Sequence, residues 1–174
     1  MKGLRIRRAV ARDLSAINDI YNYYVTSSTC TYQEEPDSPS ERAKWFGSHD
    51  ARHPVIVAEM GGEAVGWVCL SPFHSRCAYR YTVEDSVYVR HDMHRKGIGE
   101  RLLRELVDLG RRIGHRSIVA VISADQAPSI ALHRKLGFVS AGRLRKVGYK
   151  FERWLDVAYM QLLLRKRPEG RSKK

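Results

Sequence analysis

The stretch Val87-Tyr88-Val89-Arg90-His91-Asp92-Met93-His94-Arg95-Lys96-Gly97-Ile98-Gly99-Glu100 carries the clearest chemical signal in the chain. An apolar strand segment runs into a basic turn with two glycines, and the turn opens a long helix. Such a turn aims several backbone N–H groups at one spot, and the helix N-terminus adds about half a positive charge there. Gly97 and Gly99 let the backbone approach an anion where a Cβ would obstruct it. Arg95 and Lys96 add charge at the rim. In outline this is a cradle for a pyrophosphate. It is not a Walker loop, because no Lys-Ser/Thr follows the second glycine, and it is not the GxGxxG dinucleotide fingerprint. An ordinary strand-to-helix turn is the plain alternative.

The elements that must hold this turn are readable from periodicity. Leu4 to Val10 reads as a strand, and Asp13 begins a helix in which Leu14, Ile17, Ile20, Tyr21 and Tyr24 recur at helical spacing. Thr26 to Asp37 is polar and turn-rich. Ser38-Pro39-Ser40-Glu41 is a capping box, so a second helix should run through Trp45 and Phe46. Val55 to Met60 and Ala64 to Leu70 form a hairpin about Gly61-Gly62. Ser71 to Arg80 reads as a loop. Tyr81 to Val89 is a strand with Val83, Asp85, Val87 and Val89 on one face and Glu84, Ser86 and Tyr88 on the other.

After the cradle, Ile98, Leu102, Leu106, Leu109 and Ile113 form the apolar stripe of a helix that Gly114 stops. Ser117 to Ile122 is a short strand, and Pro128 to Leu136 a helix ended by Gly137. Phe138 to Val147 and Trp154 to Leu164 close the fold as strands. The fold class is therefore α/β, with a mixed central sheet and helices on both faces. One domain is expected over residues 1–164, followed by a basic, disordered tail over 165–174.

Composition sets the outer bounds. The chain has 174 residues, 43% of them hydrophobic, enough for a proper core without disulfides or metals. Its three cysteines, Cys30, Cys69 and Cys77, have no metal spacing and suit a reducing cytoplasm. No apolar run is long enough to span a bilayer, and no membrane partner is expected. The net charge of +12 fits a polyanionic ligand, but the last ten residues hold six Lys/Arg against one Glu. No aromatic-rich RNA-binding signature accompanies the charge, so nucleic acid is not the expected partner.

The turn at His94 to Gly99 resembles the acetyl-CoA loop of the GCN5-related N-acetyltransferases, whose pattern is Gln/Arg-x-x-Gly-x-Gly/Ala. Thr82 to Val89, Pro128 to Phe138 and Val147 to Val157 are similar to one branch, the phosphinothricin and methionine sulfoximine N-acetyltransferases. Two positions depart from the family pattern: His94 stands where Gln or Arg is usual, and Gln126 where many members have Asn. The resemblance implies that acetyl-CoA, without a metal, is held by Val87, Tyr88, Val89, His94, Arg95, Lys96, Gly97, Ile98, Gly99, Glu100, Gln126 and Ser129. It implies a small-molecule amine as acceptor and a homodimer.

Acetyl transfer from a thioester to an amine needs the amine deprotonated, the carbonyl oxygen stabilised and the leaving thiolate protonated. By resemblance Glu84 is the base, acting directly or through a water. A backbone N–H near Val87 is the oxyanion donor, and His133, where many relatives have Tyr, protonates the thiolate. A packed helix histidine is the plain alternative for His133, and a surface carboxylate for Glu84. Arg76 or Arg80, with Arg80 preferred, would clamp a substrate carboxylate. Phe73, Glu84, Asp85 and Ser86 complete the expected substrate site, and Tyr32 would add to its wall. Two other readings stand beside this one. One is acetylation of a protein N-terminus or lysine; the other is a basic nucleic-acid- or ribosome-associated protein on the same scaffold.

Overall fold

The structure, a computed structural model, describes residues 3–164; the basic tail expected to be disordered lies outside them. Seven strands form one sheet: β1 (Arg5–Arg8), β2 (Val55–Met60), β3 (Glu63–Pro72), β4 (Thr82–Val89), β5 (Ser117–Ser123), β6 (Val139–Lys150) and β7 (Arg153–Leu163). Their spatial order is β1-β2-β3-β4-β5-β7-β6. Among the described residues only β4 and β5 pair in parallel, with α3 (Ile98–Ile113) as the crossover. The mixed sheet expected from the sequence is thus built, with β7 inserted between β5 and β6.

Helices α1 (Leu14–Ser27) and α2 (Pro39–Gly47) cover one face, where Ile17, Ile20 and Tyr24 pack on Val55, Val57 and Trp67. Helix α3 covers the other, where Ile98, Leu102 and Leu106 meet Val68, Leu70, Val83 and Ile118. Helix α4 (Ala127–Lys135) lies on this second side, and its Ile130 and Leu132 pack against the same core. The capping box forms as expected: Ser38 Oγ accepts from the Glu41 N–H, and the Glu41 carboxylate accepts from the Ser38 N–H.

Several elements differ from the sequence reading: β1 is shorter than Leu4 to Val10, and β6 runs to Lys150 rather than ending at Val147. A 3-10 turn over Ala11–Asp13 precedes α1, because the buried Asp13 carboxylate accepts from the Val10 N–H and pairs with Arg7. Strand β3 extends to Pro72, so the loop after it is shorter than read, and it contains a 3-10 turn at Cys77–Tyr79. The buried stripe of α3 is wider than expected: Leu103, Val107 and Gly110 are buried too. A Cβ on Gly110 would lie 3.4–3.5 Å from Leu164, Ile118 and Leu70, in ordinary van der Waals contact with the core.

Leu102 anchors this side of the sheet and is fully buried. Leu102→Ala should cost about 2–5 kcal/mol, the range for a buried leucine that leaves a cavity. Urea denaturation checks this, and a loss under 1 kcal/mol would show that α3 is not seated as described.

Candidate active site

Strands β4 and β5 stay in register from Thr82↔Ser117 to Asp85↔Ala120 and then part. Beyond that point β4 remains paired with β3, and β5 with β7. The β4 edge from Ser86 to Val89 therefore has no strand partner on the β5 side. A cavity of about 1000 Å³ opens at this fork. Glu84, Asp85, Ser86 and Val87 line it from β4, Ala120 to Ser123 from β5, and Tyr24 and Cys30 to Tyr32 from the α1 side. Gln126, Ser129, Leu132 and His133 close it from α4.

The turn after β4 lines one end of this cavity. Gly97 is the N-cap of α3 with φ +71°, a left-handed conformation, and Arg95 before it has φ +59°. The Arg101 N–H is bonded to the Gly97 carbonyl. That leaves the N–H groups of Ile98, Gly99 and Glu100 as the unpaired donors of the first turn. Among the described residues no side chain caps them. A Cβ on Gly97 would meet nothing within 4 Å, so its glycine serves the backbone conformation, whereas Gly99 lies against Leu132 of α4 at 3.4 Å. Arg95, Gly97, Ile98, Gly99 and Glu100 line the cavity, whereas Lys96 does not, and its ammonium turns back onto the Asp92 carbonyl at 3.2 Å. His94 also lines the cavity, and its Nε2 faces the Val89 carbonyl at 3.1 Å. Tyr24, which the sequence reading left in the core stripe of α1, donates to that same carbonyl at 2.5 Å.

Glu84 is half-buried where the strands part, on the α1 face of the sheet with Ser86 and Tyr88. Desolvation, then the neighbouring charge of Asp85, holds its carboxyl above the ordinary carboxylate range. A carboxylate in that setting accepts a proton more readily than an exposed one.

His133 and Asp85 sit on the opposite face and differ from expectation. Both are buried, and His133 Nε2 lies 2.9 Å from Asp85 Oδ2. The Ser129 carbonyl can only accept, so His133 Nδ1, 2.8 Å away, must donate to it. Burial alone would push the imidazole down, but the hydrogen bond and charge of Asp85, with the Ser129 carbonyl, outweigh it and raise its pKa. An imidazolium with both N–H groups committed has none left for a leaving thiolate. The arrangement is a tie between α4 and β4, and it takes Asp85 away from the substrate side where the sequence reading put it.

The expected clamp is not brought to the cavity. Arg76 and Arg80 are exposed in the β3–β4 turn, and neither lines the fork. The Arg80 guanidinium lies over the Tyr81 ring at 4.7 Å and bonds the Cys77 carbonyl. Phe73 packs on His74 and Tyr79 in the same turn. Gln126 does reach the cavity, but its amide donates to Thr29 Oγ1 at 2.9 Å. Thr29 in turn donates to Asp125, which also accepts from Ser123 and Arg153. This network joins three distant segments and left no periodic mark in the sequence.

The profile of the Acetyltransferase (GNAT) family matches residues 17–138. The chain belongs to that family and is an N-acetyltransferase. It is 39% identical over 158 residues to a phosphinothricin N-acetyltransferase of Streptomyces viridochromogenes, spanning 91% of this chain and 86% of that one. It is 40% identical over 161 residues to an L-methionine sulfoximine/L-methionine sulfone acetyltransferase of Pseudomonas aeruginosa, spanning 91% and 94%. The crystal structure of a phosphinothricin acetyltransferase from Sinorhizobium meliloti in complex with acetyl-CoA superposes with a TM-score of 0.90 at 41% identity, covering 96% of this chain and 94% of that one.

The Asp85–His133 tie makes a pH prediction. A histidine whose pKa is raised by folding contributes stability that is complete below its unfolded value, about 6.5, and is lost as the pH rises through the raised value. Asp85→Asn can still donate to a neutral Nε2 but carries no charge, so thermal melts between pH 6 and 9 should show that decline in the parent and not in the variant. Equal pH slopes in the two proteins would contradict a charged pair.

Proposed function

We propose that the chain transfers the acetyl group of acetyl-CoA to the amine of a small amino-acid analogue of the phosphinothricin or methionine sulfoximine type, in a ternary complex with Glu84 as base. The observation that carries this reading is the position of Glu84: a half-buried carboxylate with a raised pKa that lines the cavity one register before the last β4–β5 pair, Asp85↔Ala120. The named substrates of the relatives supply the acceptor class.

The residues present suit the cofactor. Three free N–H groups at the start of α3, a left-handed Gly97 and the rim charge of Arg95 form an anion site. The unpaired β4 edge from Ser86 to Val89 can hydrogen-bond an extended pantetheine arm, and an N–H near Val87 can meet the thioester oxygen. Gln126 would have to release Thr29 to join them.

The proton inventory follows from the site. An α-amino group is mostly an ammonium at neutral pH, and Glu84 takes its proton directly or through a water. The free amine attacks the thioester carbon, the C–N bond forms and the oxygen takes up negative charge. The C–S bond then breaks, and the remaining surplus N–H proton can pass to the departing sulfur, so His133 is not required as an acid. In this reading His133 and Asp85 hold α4 against the fork instead. The substrate carboxylate is not assigned to Arg76 or Arg80, neither of which lines the cavity.

Apolar side chains exposed on β6 and β7, among them Val139, Tyr149, Trp154 and Leu163, support the expected homodimer. Three free thiols support a reducing, cytoplasmic setting, and no described helix is long and apolar enough to cross a membrane.

Two variants separate the chemistry from the binding. Glu84→Gln should lower turnover of methionine sulfoximine by ~10²-fold or more in a thiol-release assay, with acetyl-CoA affinity little changed; a parental rate at pH 7 would remove Glu84 as base. Gly97→Val forces a branched residue into a left-handed conformation at the cradle. It should weaken acetyl-CoA binding more than it slows the bound complex, and parental affinity by calorimetry would count against the cradle.

A further inference from the structure

Residues 30 to 32 wall the cavity on the Glu84 face of the sheet, yet they and the two residues before them form neither helix nor strand. Their shape is imposed from outside, and much of it comes from the far end of the chain. Lys150, the last residue of β6, is buried, with 3% of its surface exposed. Its ammonium donates to the Ser28 carbonyl at 2.9 Å and to the Thr31 carbonyl at 2.8 Å. Among the described residues no carboxylate pairs with it. Burial holds its pKa below the ordinary lysine value.

Removing an ammonium from water is costly unless its hydrogen bonds are replaced. Here the replacements are two carbonyls that bracket Cys30, a cavity-lining residue that packs against the core beside Tyr88. Two residues earlier, Gly148 lies under the ring of Tyr32, where a Cβ would come within 2.4 Å of two ring carbons. Tyr32 lines the cavity and donates to the Asp156 carbonyl of β7. The hairpin tip is itself firmly set: Phe151 and Glu152 are both left-handed, and Arg153 pairs with Asp125, the partner of Thr29. One hairpin therefore grips both ends of the wall.

We propose that Lys150 is a positioning residue for the acceptor amine: it fixes the 30–32 wall that orients the substrate toward Glu84, and it does not touch the reacting atoms. The proposal rests on the acetyl-transfer reading for its assay but not on the identity of the acceptor. Whichever amine the parent enzyme turns over fastest is the probe.

Lys150→Met in the full chain keeps the apolar stem and removes the donors. The expected result is a rise of about tenfold in the KM of the amine, the scale of one charge-assisted hydrogen bond, with the acetyl-CoA Kd unchanged. Gly148→Ala leaves Lys150 in place and presses a methyl group onto Tyr32, so it should raise the same KM and serves if the first variant does not fold. An unchanged amine KM in a folded variant would overturn the proposal. So would an equal loss of acetyl-CoA affinity, which would mark the hairpin as general support. If no amine in a panel is turned over by the parent, the acetyl-transfer reading fails first, and the wall is then probed by the reactivity of Cys30 toward a thiol reagent. Faster labelling in Lys150→Met would still support the tie, and parental labelling would refute it.

Discussion

The separation of β4 from β5 after Asp85 and Ala120 is the constraint on which the rest of the site depends. Two neighbouring parallel strands normally share hydrogen bonds along their length, and leaving an edge unpaired away from water is unfavourable. Here each strand keeps its outer partner, β3 for one and β7 for the other, so the sheet survives while its middle opens. The fork makes a cavity with backbone donors and acceptors along one side. It also places a carboxylate at its apex without a hydrogen-bond partner of its own among the described residues. A ligand with amide and thioester groups can replace the missing strand.

The fork needs bracing because nothing within the sheet holds its arms at a fixed distance. Helix α3 braces one arm through Ile98 and Leu102 and presents its free N-terminal N–H groups to the cavity. Helix α4 braces the same side by the His133–Asp85 bond across the fork's root. On the other face the 28–32 segment is held by the Thr29–Asp125–Gln126 network and by Lys150. Elements far apart in the chain thus meet around one opening. In this way the four α-helices among the described residues can present different surfaces to a cofactor and to an acceptor.

Alternation along β4 divides the labour between the two faces. Glu84, Ser86 and Tyr88 look toward α1 and α2, while Val83, Asp85 and Val87 look toward α3 and α4. Adjacent carboxylates therefore have opposite fates. Glu84 stays partly open with its pKa raised by desolvation, and Asp85 is spent on a buried imidazole. The proximity of the two negative charges itself contributes to the raised pKa of Glu84.

Local sequence determined what local physics controls. The capping box at Ser38, the two-glycine hairpin, the amphipathic α3 with its glycine stop and the cradle turn all depend on neighbours within a few residues, and each was readable as a pattern. The three-motif resemblance identified the family and the α/β class on the same kind of evidence. Only the tertiary structure decided where side chains from distant segments point. His133 looked like a free proton donor until Ser129 and Asp85 took both of its nitrogens. Arg80 looked like a clamp until its guanidinium settled on Tyr81. Lys150 and Gly148 lie in a stretch that the resemblance marked, but which groups they meet was not readable, because those are carbonyls and a ring more than a hundred residues earlier. Spacing fixes which face of an element a residue occupies, but hydrogen-bond partners are set by packing between elements, and that information is absent from any window of the sequence.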